Sequence, residues 1–196
     1  MEHEKLYTQA VSLLKELIAT PSPSREEGAT ALLLYGCLEG QGVAGVKRLH
    51  NNVWAFNRNF DPTKPTILLN SHHDTVRPNS PYTRDPHSPD EVDGKLYGLG
   101  SNEAGASVVS LTSAFLHFYD REDLHYNLCL AITAEEEVSG TNGIASLIPL
   151  LGDLDFAIVD GPPGMQLAIA ERGLVVLDCV APGQAGHAAR DDGENA

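Results

Sequence analysis

Thr66-Ile-Leu-Leu-Asn-Ser-His-His-Asp74 runs from an unbroken apolar stretch straight into two histidines and a carboxylate. A short apolar run of this kind reads as a strand buried on both faces, as in a parallel sheet. Two further apolar runs also lead into acidic residues. Leu128-Cys-Leu-Ala-Ile132 leads to Glu135-Glu-Glu137, and Phe156-Ala-Ile-Val159 leads to Asp160. In open α/β sheets, ligands bind beyond the carboxyl ends of the strands. Three strands that each release His or carboxylate there point to one polar site along one sheet edge.

Outward from these strands the pattern turns helical. Leu6, Ala10, Leu13, Leu14, Leu17 and Ile18 recur at helical spacing and predict an amphipathic helix over about 3–20. Thr20-Pro-Ser-Pro-Ser24 stops it, and Ser24 with Glu27 forms a capping-box pattern for a second helix reaching about Gly40. Val53-Trp-Ala-Phe56 reads as a strand, 75–92 as a long polar loop, 103–119 and 144–151 as helices. Leu167 to Val180 predicts two strands around Glu171-Arg-Gly173. Strands alternating with helices indicate an α/β domain with a mostly parallel sheet flanked by helices.

The 196 residues suffice for one buried core, or for one domain and the start of another. Acidic residues number 27 against 13 basic, a formal net charge of −14. That balance disfavours nucleic acid and anionic membranes as partners, because their phosphates need compensating Lys and Arg. It suits a cation-binding protein, and a hydrated acidic surface equally well. Cys37, Cys129 and Cys179 form no CxxC pair, which points to free thiols in a reducing compartment. The N-terminal stretch lacks a signal peptide's apolar run, and no segment is long enough to span a bilayer, so a cytoplasmic protein is expected.

His72-x-Asp74 suits a metal site: a neutral imidazole binds the ion while a nearby carboxylate fixes its tautomer. Taken alone, the motif fits an ordinary polar strand end as well. Three adjacent glutamates are commonly a solvated face. Directly after a buried strand, however, packed like charges call for a compensating cation. Neighbouring glutamates also allow one to ligate metal while the next accepts a proton from water. Gly98-x-Gly100 with Gly105 misses the dinucleotide spacing, and the same segment lacks a phosphate-binding lysine. No G-x-S-x-G elbow occurs. His3, His50, His87, His117 and His125 are expected to be surface or structural residues.

Four blocks, LLNSHHDTV, DGKLYGLGSNEAGASVVSL, TAEEEVSG and AIAERGLVVLDCVAPGQAGHAAR, occur in order over about residues 65–190. They resemble the acetylornithine deacetylase / succinyl-diaminopimelate desuccinylase family of two-zinc aminoacylases and carboxypeptidases, most nearly its acetylornithine deacetylase branch. The resemblance implies a zinc-peptidase-like catalytic domain over 1–168, incomplete, and the first part of an α+β lid or dimerisation domain over 169–196. It implies two zinc ions (cobalt is an alternative), a small N-acyl amino acid substrate, and a homodimer in the complete protein. His72 would bind metal, with Asp74 orienting it. Glu103 resembles the bridging ligand, Glu136 the general base and Glu137 a ligand of the other metal. His187 resembles the lid histidine that reaches a partner's site and stabilises the developing oxyanion.

Three departures accompany the resemblance. The bridging position is normally Asp, and the extra methylene of Glu103 shifts the carboxylate by roughly 1.5 Å, against a ~0.2 Å tolerance. A further glutamate ligand position falls on Gly161, with Asp160 beside it as a possible substitute. The last histidine ligand would lie beyond Ala196. Two readings follow: part of a metal-dependent N-acyl amino acid hydrolase, or a degenerate relative that binds metal weakly or serves as an interaction module. Within the family, a dipeptidase or carboxypeptidase shares the same motifs.

Overall fold

The computed structural model describes residues 2–159, all within the compact unit Met1–Gly164. The expected strands around Glu171–Gly173, the 169–196 segment, and Asp160, Gly161 and His187 lie outside the described residues. In chain order the elements are α1 (Glu2–Ala19), α2 (Gly28–Gly40), β1 (Lys47–Leu49), β2 (Asn52–Phe56), β3 (Thr66–His72), β4 (Glu91–Val92), β5 (Lys95–Leu96), α3 (Gly105–Phe118), β6 (Asn127–Thr133), α4 (Ile144–Leu151) and β7 (Phe156–Val159). A 3-10 turn, Glu136–Val138, follows β6.

The main sheet has the order β1-β2-β6-β3-β7. β6, β3 and β7 are mutually parallel, while β2 is antiparallel to both β1 and β6. Four of these five strands therefore point one way and β2 alone opposes them, a mixed sheet with mostly parallel strands. Every residue of β6 is buried, as a continuous apolar run at the centre of a two-sided sheet requires.

Side-chain alternation divides the core between the two faces. Val53, Ala55, Leu69, Leu128, Leu130 and Ile132 join residues of α1, α2 and α3 in one cluster. Trp54, Leu68, Cys129 and Ala131 meet Leu147 and Leu151 of α4 in the other. Each fully buried aliphatic side chain in these layers contributes about 1.5–3 kcal/mol. Cys37 and Cys129 are free thiols, and burial pushes Cys129 up to about 12, which makes it an inert core residue. Among the described residues no helix is long and apolar enough to cross a membrane.

Local signals located most elements within two residues, and the exceptions have physical causes. α2 begins at Gly28 rather than at Ser24, and its N-cap residue Glu27 makes no side-chain capping bond. The Ser24 hydroxyl instead donates to Asp74 Oδ2 at 2.7 Å, so the capping-box pattern answers to a tertiary partner. β1 and the two-residue pair β4–β5 were not anticipated, because Lys47–Leu49 and Glu91–Leu96 carry little apolar pattern. The α1–α2 connection is laid along the continuation of β3. Ser24 N donates to Thr75 O, Thr75 N to Ser22 O, and the Ser22 hydroxyl to His73 O.

Candidate metal centre

The site begins with strand register. β3 and β6 are parallel with His72 level with Thr133, so both strands end side by side and His73 N donates to Thr133 O at 2.9 Å. Beyond that line the chain delivers His72–Asp74 from one strand and Glu135–Glu137 from the next.

His72 is buried, and its two ring nitrogens face different partners. Nδ1 lies 3.1 Å from Asp74 O and 3.3 Å from Asp74 Oδ1. Nε2 lies 3.0 Å from Glu103 Oε1 and 3.7 Å from Glu136 Oε2. Burial pulls the imidazole pKa down, but hydrogen bonds to Asp74 and Glu103 and the charges of Asp74 and Glu136 outweigh it and raise it to about 9. Donation from Nδ1 to Asp74 leaves Nε2 as the nitrogen available to a cation. The adjacent His73 is sealed off. Its Nδ1 is 2.9 Å from the Thr30 hydroxyl and its Nε2 2.9 Å from Asn51 O, and burial lowers its pKa, favouring the neutral ring.

Asp74 has no exposed surface and organises both strand ends. Besides His72 and Ser24, it accepts from Glu136 N (3.0 Å, Oδ1) and Glu137 N (3.1 Å, Oδ2). Burial alone would raise its pKa; the bonds from His72, Ser24 and the two amides prevail and hold it at about 2. Asp74 therefore stays ionised as an acceptor for the histidine and the glutamate turn together.

The three glutamates are not equivalent. Glu135 is buried, has φ 58°, and its carboxylate accepts from Asn142 Nδ2 (2.9 Å) and Asn142 N (3.3 Å). Gly140 packs so closely against it that a Cβ there would collide with the Glu135 carboxylate. Glu136 and Glu137 are exposed, and each offers an oxygen that lies, with a ring nitrogen of His72, within a 4.8 Å cluster. Burial, together with the charges of Glu136, Asp74 and Glu103, raises the pKa of Glu137 against the lowering effect of His72.

Of the expected residues, the structure thus brings His72, Asp74, Glu103, Glu136 and Glu137 together. Glu103 stands apart from the three-atom cluster, its carboxylate on the same nitrogen that a cation would need. Sequence reading missed Ser24 and Asn142, whose partners are 50 and 7 residues away. No local pattern marks Ser24 as a partner of the site, since its capping-box spacing points to a helix start instead.

One imidazole and two carboxylates form a donor set suited to zinc or a similar divalent ion, with room for a further ligand. Bonds of 2.0–2.1 Å imply ligand atoms about 3.3 Å apart in a tetrahedral site. Side-chain shifts of roughly an ångström, easy for exposed Glu136 and Glu137, would close the 4.8 Å cluster to that size. The described residues fit one such ion.

The model for peptidase family M20/M25/M40 matches residues 68–175, just over half of the chain. The chain belongs to this family. Among similar proteins, the succinyl-diaminopimelate desuccinylase of Delftia acidovorans is 27% identical over 175 residues, covering 81% of this chain and 45% of that protein. A probable carboxypeptidase of Emericella nidulans is 29% identical over 195 residues, 90% of this chain and 45% of the relative. An M20 family metallo-carboxypeptidase from Sulfolobus solfataricus superposes with a TM-score of 0.63 at 25% identity, covering 78% of this chain and 37% of that one. The chain spans about half the length of the curated relatives it matches.

Proposed function

We propose that this chain carries the metal-binding part of an M20 hydrolase that cleaves the amide bond of N-acyl amino acids. The observation that carries the reading is the gathering of His72, Glu136 and Glu137 at the level ends of two parallel strands, with Asp74 bonded to both. A bound divalent ion would polarise the scissile carbonyl and acidify the attacking water. His72, Glu103 and Glu137 would supply its ligands, Glu103 moving from Nε2, and Glu136, whose oxygen lies in the same cluster, would stay unbound as the base. Glu136 would take the proton from the water as its oxygen bonds to the carbonyl carbon, then pass it to the departing nitrogen. A carboxylate and a free amine result. His187, from the segment 169–196 read as the start of a lid, would stabilise the oxyanion in a partner subunit.

The desuccinylase relatives support an N-acyl amino acid substrate, and the motif blocks support acetylornithine as the particular one. Zinc is the proposed ion. The thiols Cys37 and Cys129 support a cytoplasmic setting.

The test is metal stoichiometry in this chain, followed by amine release in the natural protein that contains it. One Co2+ per chain and turnover of N-acetylornithine above N-succinyl-diaminopimelate and an unblocked dipeptide are expected. Turnover of the dipeptide alone would move the substrate to the peptidase branch. One observation favours a second reading: Glu103 Oε1 sits on His72 Nε2 itself. Metal bound without turnover of any amide would establish the degenerate relative instead.

A further inference from the structure

Glu27 is wholly buried at the start of α2, outside the matched segment, and no step proposed above uses it. Its carboxylate takes three neutral N–H donors: Arg25 N at 2.6 Å, Asn51 Nδ2 at 2.8 Å and Glu135 N at 3.2 Å. A carboxylate withdrawn from water is tolerated where such donors replace its hydration. The third of them is 108 residues distant, on the first residue of the glutamate turn.

Three successive amides of that turn therefore end on two buried carboxylates. Glu27 receives Glu135 N, while Asp74 receives Glu136 N and Glu137 N. Glu135 needs such a hold. At φ 58° it occupies the left-handed region, which an L side chain keeps only where its surroundings fix it. The anchor is itself braced. Asn51 Oδ1 accepts from Arg48 Nη2 at 3.0 Å, and Asn51 O faces His73 Nε2 at 2.9 Å. The Thr30 hydroxyl oxygen lies 3.0 Å from Glu27 O and 2.9 Å from His73 Nδ1. This network ties the start of α2, the β1–β2 turn and the residue next to His72 to one carboxylate.

We infer that Glu27 is a positioning residue: through the Glu135 N–H it sets the turn that carries Glu136 and Glu137 towards His72. Its purpose rests on the metal-hydrolase reading; the hydrogen bonds do not. Glu27→Met keeps the length and approximate volume of the side chain but offers no oxygen to Arg25 N, Asn51 Nδ2 or Glu135 N. Glu27→Ala removes all three acceptor contacts.

Both variants are compared with the unaltered chain by Co2+ titration and by amide hydrogen exchange of the metal-free protein. Co2+ affinity is expected to fall about tenfold, as for loss of an outer-shell partner. Exchange should rise at 135–137 and stay unchanged in α3. Unaltered affinity with unaltered exchange at 135–137 in the folded Met variant overturns the assignment. So does an exchange increase spread evenly over α3 and the turn, which marks Glu27 as a general stabiliser. Should Glu27→Ala not fold, the Met variant decides. If the unaltered chain takes up no Co2+, the metal reading fails by itself. The exchange data then decide: a rise confined to the turn supports the positioning role, and no rise overturns it.

Discussion

The ends of β3 and β6 lie level in the sheet and serve the site in opposite ways. From β3 come His72, His73 and Asp74, all buried, with both imidazoles and the carboxylate hydrogen-bonded. From β6 come Glu136 and Glu137, whose amides are fixed on Asp74 while their carboxylates stay in solvent. The difference explains how adjacent like charges are accommodated. The backbone is held by a buried anion, and the side chains keep their hydration until a cation draws them in. Rigidity comes from one strand and adjustable ligands from the other.

The sharpest way to break this division is to remove the fixed ligand. His72→Ala should weaken Co2+ binding by more than about 100-fold, beyond the 10–100-fold typical of outer-shell losses, as read by calorimetric titration. Equal binding by the variant would place the ion elsewhere. Asp74→Asn comes next. It puts an amide N–H among donors, and should destabilise the metal-free chain by about 3 kcal/mol in urea unfolding at pH 7. The folded pKa of Asp74 is depressed to about 2, so its contribution is complete above the unfolded value of about 3.9 and disappears as pH falls through about 2. The gap between the two proteins should therefore close over that acidic window. A gap that persists at pH 2 would show that packing, not charge, makes Asp74 valuable.

The smallest expected effect separates Glu135 from its neighbours. Gly140→Ala forces a methyl group onto the Glu135 carboxylate and should cost about 2 kcal/mol of stability. A melting temperature equal to that of the unaltered chain would mean that the turn yields freely, against a fixed backbone after β6.

Much of the fold was legible locally. Asn127–Thr133 read as a buried strand and the spacing from Leu6 to Ile18 as an amphipathic helix, as the structure has them. The short polar strands β1, β4 and β5 were not legible, since their pairing does not depend on an apolar pattern. His72, Asp74, Glu103, Glu136 and Glu137 could be named from residue type, position after a strand and family resemblance together. Ser24 looked like a helix cap, because a hydroxyl three residues before a glutamate is a local signal and the Asp74 oxygen 50 residues away leaves none.

The chain's residues alone thus dictated the central strands, the helices and membership of the M20 lineage, because hydrophobic period and motif order are properties of neighbours along the chain. Which glutamate turns inward to Asn142 and which two face His72 was decided by the fold. So was the convergence of Ser24, Glu27 and Asp74 beneath them. The physical reason is that each of those choices belongs to a buried hydrogen-bond donor or acceptor, and its partner comes within reach only when the sheet closes.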